Sequence, residues 1–198
     1  MKKTSKSNRQ FELFNTSVEN SINMPFSNDL KINVENLMRW RNNIYDYQKK
    51  IINGEGAKIC QDSIFPNYNN HGNININPFL LQGLSLNFWR ANQSVHNGPA
   101  MYFVIDTMKG CQIILYIGET NDANNRWKGN HDCKNYILNY KEALSFNKLT
   151  SHADIRFFLD VPKEVRLRRK LEKELIYLWL PPFNKETRGR WATTFTNN

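Results

Sequence analysis

Several features that mark common protein classes are missing from this sequence. Its 198 residues include three cysteines, Cys60, Cys111 and Cys133, which are scattered and odd in number. They form neither a disulfide framework nor a CxxC metal pair, and this favours a reducing, intracellular compartment. No apolar run approaches the roughly 18 residues that cross a membrane. The basic N-terminus is not followed by the apolar stretch of a signal peptide. We therefore expect a cytoplasmic protein with no membrane association.

Two common catalytic arrangements are also missing. The sequence has no glycine-rich loop that could cradle a phosphate, and no Ser/His/Asp set is evident. Acidic residues are few beside basic ones, 18 Asp and Glu against 27 Lys and Arg, which gives a formal net charge of +9. A basic balance favours a polyanionic partner, because each neutralised phosphate releases counterions. The alternative interpretation is a solvated basic surface.

The periodicity predicts an α/β (α+β) fold. A helix is expected over 33–52, capped by Asn33. Two apolar runs, 100–106 and 112–118, flank Lys109-Gly110 and predict a β-hairpin. A helix over 133–145, a strand over 154–160 and a helix over 164–180 follow. The prediction is a three-stranded antiparallel sheet flanked by helices in a domain of residues 99–198. Residues 1–98 form a helical and irregular extension, in which 1–30 is a flexible arm and the 33–52 helix docks on the domain, dimerises or lies along DNA.

Alternation along the hairpin places two tyrosines on one surface. Six apolar side chains are predicted to share the opposite, buried face: Met101, Phe103, Ile105, Ile113, Leu115 and Ile117. Burying that face leaves Tyr102 and Tyr116 together on the other.

One carboxylate of the last helix lies on its apolar side. At 100° per residue, Glu172 falls inside the sector marked by Leu167, Leu171, Leu175, Ile176, Leu178 and Trp179. Glu174 falls at the border of that sector. A carboxylate aimed at the sheet needs a partner, a metal ion or a shifted pKa. Glu172 is therefore a candidate metal ligand, with a salt bridge to Arg168 or Arg169 as the alternative.

These residues together resemble the GIY-YIG nuclease family, and most closely its small bacterial, cyanobacterial-type members. The first motif reads Ala100-Met101-Tyr102 and the second reads Tyr116-Ile117-Gly118. Arg126, Glu172 and Asn184 follow at the family's offsets, so the resemblance covers about residues 100–190. Ala-Met replaces Gly-Ile in the first motif. His131 lies one residue beyond the position, here Asn130, at which the family often has His or Tyr.

The resemblance implies hydrolysis of DNA with one divalent ion, Mg²⁺ or alternatively Mn²⁺, to 5′-phosphate and 3′-hydroxyl ends. Glu172 would ligate the ion and Tyr102 would take the proton of the attacking water. Tyr116 would orient water or phosphate, and Arg126 would stabilise the developing charge. The expected catalytic set is Tyr102, Tyr116, Arg126, His131, Glu172 and Asn184. The expected DNA contacts are Arg126, Lys128, Arg168, Arg169, Lys185 and Arg188.

Several functional classes stay open at this stage. The chain could be a type II restriction-like endonuclease, a nuclease of DNA repair or of mobile elements, or a DNA-binding module without catalysis. A homodimer would let one site per chain cut both strands, and sequential nicking is the alternative. Phe88-Trp89-Arg90 would anchor the extension to the core or stack on a base.

Overall fold

A computed structural model describes residues 32–55, 76–90, 97–128 and 131–196. Its helices are α1 (Val34–Ile52), α2 (Ala123–Arg126), α3 (Asp132–Phe146) and α4 (Val165–Trp179), and its strands are β1 (Gly83–Ser85), β2 (Ala100–Met108), β3 (Cys111–Thr120) and β4 (His152–Phe158). The five elements predicted after residue 99 and the capped first helix are therefore present. The predicted arm over 1–30 lies outside the described residues.

The sheet has four antiparallel strands in the order β1-β4-β2-β3, rather than the three that were predicted. β1 has only three residues, which is too short for alternation to reveal it. The predicted hairpin turn is present between β2 and β3. Lys109 and Gly110 have φ of 49° and 80°, the left-handed pair that a two-residue turn requires.

A β-bulge changes which hairpin residues share a face. Val104 pairs with Tyr116, but Ile105 pairs with Ile114, so β3 carries one extra residue at this point. Met101, Phe103, Ile105 and Ile117 lie in one cluster, whereas Ile113 and Leu115 lie in the other, with Tyr102. The predicted common face of six residues is therefore wrong for Ile113 and Leu115. Tyr102 and Tyr116 nevertheless share a surface, because Tyr116 follows the bulge.

The helices cover both faces of the sheet. α3 and the first half of α1 pack on the face of Tyr102, and Leu37, Trp40 and Ile44 of α1 are buried there. α4 packs on the opposite face through Leu175, Ile176 and Trp179. α1 thus docks on the sheet, the first of its three predicted roles. Leu167, which was placed in the apolar sector of α4, is 50% exposed.

Two ion pairs fix elements around the core. Arg41 of α1 donates to the Asp106 carboxylate at 3.0 Å, and both side chains are almost fully buried. Burial raises the pKa of Asp106, which also accepts from the Tyr140 hydroxyl at 3.0 Å. On the other face, Arg156 pairs with Asp154 at 2.7 Å and donates to the Phe79 carbonyl at 2.6 Å. These contacts tie α1 and the 76–81 segment to the sheet.

Phe88 is buried and its ring lies 5.2 Å from that of Phe157 on β4, so this residue anchors its segment to the core.

Cys111 and Cys133 are free thiols, and Cys60 lies outside the described residues. Within those residues, no helix combines the length and apolar character that crossing a bilayer requires.

Candidate active site

A cleft of about 360 Å³ opens between β3, the start of α3, the side of α4 and the segment that follows α4. The six residues of the expected catalytic set meet here. Five of this set line the cleft itself: Tyr116, Arg126, His131, Glu172 and Asn184. Tyr102 lies behind them and is 0% exposed. Residues spread over 82 positions of sequence are thus brought to one place by the fold.

The two tyrosine rings stack, with centroids 6.0 Å apart. Tyr102 lies opposite Gly118 on the neighbouring strand. A Cβ at Gly118 would come within 2.3 Å of the Tyr102 ring, so the glycine of the second motif makes room for the tyrosine of the first. The glycine is required here by space rather than by backbone conformation.

The Tyr102 oxygen is surrounded by hydrogen-bonding groups. Arg126 Nε donates to it at 3.2 Å, and His131 Nε2 lies 3.0 Å away. Burial raises the pKa of both phenols, although the Arg126 guanidinium opposes the rise at Tyr102. Both tyrosines are therefore protonated at neutral pH in this structure.

His131 caps α3 and is held neutral. Its Nδ1 accepts from the Cys133 backbone N–H at 3.1 Å. Burial, and then the positive charge of Arg126 2.8 Å from Nε2, lower the pKa of His131 to about 4. His131 Nε2 contacts both the Tyr102 oxygen, at 3.0 Å, and Arg126 Nη2, at 2.8 Å. The imidazole, the phenol and the guanidinium thus form one hydrogen-bonded group beside the cleft.

Glu172 and Asn184 are hydrogen-bonded to the free edge of β3. The Asn184 amide accepts from Ile117 N at 3.0 Å and donates to Ile117 O at 2.8 Å, as a neighbouring strand would. Glu172 Oε1 accepts from Glu119 N at 3.0 Å. Asn184 is thus a positioning residue whose polar groups are both engaged, and it fixes the edge beside Tyr116.

Gln48 of α1 completes this edge, a role that sequence analysis did not predict. Its side chain is 1% exposed, accepts from Ile114 N at 2.8 Å and donates to Ile114 O at 3.1 Å. Phe183 N donates to Leu115 O at 3.0 Å. The bulged part of β3 is therefore held by α1 and by the segment after α4. A polar residue on the buried stripe of α1 would have been the only sequence signal.

Glu172 has the character of a ligand for a hard cation. Burial raises its pKa, and the nearby carboxylates Glu119 and Glu186 raise it further. Only one of its oxygens is used by Glu119 N, and Glu186 also lines the cleft. Mg²⁺ in nucleic-acid enzymes is held by one or two carboxylates, with waters and phosphate completing the shell, and this donor set fits that pattern. Among the described residues, no group of three or more His, Cys, Asp or Glu is placed so that it could hold a metal ion by itself.

The predicted DNA contacts divide into exposed and buried groups. Arg168 is 0% exposed and bonds to Glu119 at 2.8 Å and to the carbonyls of Pro162 and Lys163, so its assignment as a DNA contact is wrong. It also pairs with Glu119 rather than Glu172, and Arg169 lies 3.6 Å from the same Glu119. The alternative salt bridge for Glu172 is thus wrong as well.

The other basic candidates are accessible to a phosphate. The Arg169 side chain is 70% exposed. Arg126, Lys128 and Lys185 are exposed, and Arg188 is half-buried. Arg126 and Arg169 line a second, open depression of about 600 Å³ next to the cleft. Glu174, the other carboxylate considered on this helix, lines neither the cleft nor the open depression.

Comparison with known proteins adds no support to the resemblance between this chain and the GIY-YIG family. No protein-family model, curated protein or solved structure matches the chain.

Proposed function

We propose that this protein is a metal-dependent DNA endonuclease of the GIY-YIG type. The observation that carries the proposal is the convergence of two phenols, a guanidinium and a half-buried carboxylate at one cleft. These are the groups that phosphodiester hydrolysis needs: a proton acceptor, a phosphate clamp and a ligand for a hard cation. The accessible basic residues around the cleft suit a polyanionic substrate.

Arg126 is the phosphate-binding residue of the proposal. Its exposed guanidinium lines the cleft, and its Nε is held by the Tyr102 oxygen at 3.2 Å. A planar guanidinium fixed on one side presents its remaining N–H groups to a phosphate. His131 is neutral at pH 7, so it contributes a hydrogen bond to Tyr102 rather than charge for the substrate.

The resemblance assigns removal of the attacking water's proton to Tyr102, and the burial of this residue argues against that role. Tyr102 is 0% exposed, so it does not contact water in the cleft directly. Tyr116 lines the cleft, so its hydroxyl can contact water there. In the proposed mechanism, Tyr116 first releases its own proton to solvent and then takes the proton of the attacking water. The positive charge of Arg126, and of a cation held by Glu172, would favour that loss of a proton.

Glu172 would hold the divalent ion through the oxygen that Glu119 N does not use. When bound, the ion neutralises the charge of the scissile phosphate and of the leaving oxygen. Glu172 also fixes the end of β3 relative to α4, so that the carboxylate and Tyr116 keep their separation across the cleft.

The test uses supercoiled plasmid DNA with the full chain, in Mg²⁺ and in EDTA. We expect nicked or linear product only with Mg²⁺. Glu172→Gln should abolish cleavage while retaining DNA binding, because the amide still accepts from Glu119 N. Glu174→Gln, two residues away and outside the cleft, is the matched control. No cleavage by folded wild-type protein under any divalent ion would refute the proposal, and so would an inactive Glu174→Gln beside an active Glu172→Gln.

The role of Tyr116 has its own test. Tyr116→Phe keeps the ring stack and removes the hydroxyl that lines the cleft. We expect cleavage to fall by a factor of about 100 or more, the usual contribution of a positioned acid or base. DNA affinity measured in EDTA should stay within about twofold of wild type. Full activity in Tyr116→Phe would show that the proton takes another route.

A further inference from the structure

A groove of about 520 Å³ lies outside the candidate active site and is separate from the cleft and from the open depression beside it. It is formed by the N-terminal half of α1 and the segment 190–192, and its volume falls within the usual range for small-molecule sites. Two indoles, Trp40 and Trp191, line it together with two arginines, Arg39 and Arg190. Asn36 and Asn43 supply amides, and none of its lining residues is acidic.

The charges of this groove are available to a ligand. Arg39 and Arg190 are both exposed, and neither forms an ion pair with any residue that the structure describes. The Arg190 guanidinium lies 5.6 Å from the Tyr47 ring centroid and 6.0 Å from that of Trp191, which holds it at the groove. The Trp191 indole N–H donates to Leu180 O at 2.6 Å, so this ring is fixed.

The groove also adjoins the cleft. Phe183 lines the cleft, Trp40 lines the groove, and the two rings stack with centroids 6.4 Å apart. The chain between Phe183 and Trp191 runs from one to the other and carries Lys185, Arg188 and Arg190. A polyanion bound at the cleft therefore has a second basic and aromatic site within reach.

We propose that this groove binds an unpaired nucleotide of the DNA substrate, with its base against the Trp191 indole and its phosphates on Arg39 and Arg190. Rigid aromatic rings between cations are the features with which proteins hold single-stranded nucleic acid, because every base has a face that stacks. The amides of Asn36 and Asn43 can hydrogen-bond to base edges. The inference rests on the proposed nuclease function, since it takes the occupant to be the same DNA.

The experiment measures binding of a short fluorescent oligodeoxythymidylate to the full chain in EDTA, so that no cleavage occurs. We expect Arg39→Ala/Arg190→Ala to weaken binding by about tenfold or more and to lower the salt slope by about 1.4, the value for two single-strand phosphate contacts. Lys50→Ala/Lys109→Ala is the control, because it removes the same charge from the far end of α1 and from the hairpin turn. Trp191→Phe should retain binding and Trp191→Ala should weaken it about fivefold or more.

The outcomes separate this inference from the nuclease proposal. Binding by the arginine double variant within twofold of the lysine control, or no binding by the wild type, overturns the groove site even if the protein cuts plasmid. Loss of affinity confined to the groove variants supports the site even if no cleavage is ever seen. If the double variant does not fold, the same binding measurement is made with Arg39→Ala alone, a change at an exposed helix position.

Discussion

Gly118 lies directly across from Tyr102 on the paired strands, and a Cβ at Gly118 would overlap the tyrosine ring at 2.3 Å. The two residues belong to different motifs, yet any side chain at position 118 would require the Tyr102 ring to move. The backbone of β3 at Gly118 forms the surface against which the buried phenol is placed, and the stack with Tyr116 depends on that placement.

Gly118→Ala should therefore displace Tyr102. Overpacking of this kind costs about 1–3 kcal/mol of stability. We expect a lower urea midpoint and a large loss of plasmid cleavage. Gly189→Ala is the control, because no atom lies within 4 Å of its added Cβ. Unchanged stability and activity in Gly118→Ala would mean that the ring and strand adjust at no cost.

Glu172→Gln should separate activity from stability. Burial raises the pKa of Glu172, so its charged form is disfavoured in the folded state. For an acid with a raised folded pKa, the stabilisation is present below the unfolded value of about 4.3 and is lost as pH rises through the folded pKa. At pH 7.5 the variant should be at least as stable as wild type, and the difference should vanish near pH 4. A marked loss of stability at pH 7.5 in urea unfolding would contradict this.

His131 should not titrate between pH 5.5 and 8. Its pKa is lowered to about 4, below the usual value of about 6.5. A depressed folded pKa gives stability that is full above 6.5 and is lost as pH falls toward 4. As the pH falls from about 6.5 toward 4, the unfolding free energy of wild type should therefore decrease more steeply than that of His131→Asn, whose side chain can still cap α3. Parallel pH profiles, or an imidazole NMR titration midpoint near 6.5, would contradict it.

Two adjacent arginines should behave differently. Arg168 is buried against Glu119, and removing one partner of a buried pair costs about 3–5 kcal/mol. Arg168→Met should therefore destabilise the fold, as measured by urea unfolding. Arg169 has a 70% exposed side chain beside the open depression. Arg169→Ala should leave stability unchanged and weaken DNA binding with a smaller salt dependence. Equal effects of the two changes on stability would refute the distinction.

The positions of the long elements could be predicted because their periodicity is local. Asn33 caps α1, and Tyr136 and Tyr140 of α3 are buried as their spacing indicates. The Lys109-Gly110 turn follows from the backbone freedom of its two residues. β1 could not be predicted, because a three-residue strand at the sheet edge is defined by its pairing with β4 and not by its own pattern.

The candidate site was predictable in its residue types but not in its contacts. The helical sector selected Glu172, and that residue does line the cleft. Arg168 and Arg169 carry the same charge and are adjacent in sequence, yet Arg168 is buried and Arg169 is exposed. Which of the two faces the sheet depends on how α4 packs, and a difference of one residue on a helix is a rotation of about 100°.

The sequence by itself determined the order and approximate positions of the helices and longer strands, the hairpin turn, the pair of tyrosines and the carboxylate on the inner side of the last helix, because each depends on local spacing or on a turn's backbone. Only the tertiary structure decided that a bulge moves Leu115 and Ile113 to the tyrosine face, that Gln48 and Asn184 complete the edge of β3, and that Tyr102 lies behind Tyr116. These are contacts between residues about 65 positions apart or on paired strands. Their hydrogen bonds and burial exist only once the layers have packed.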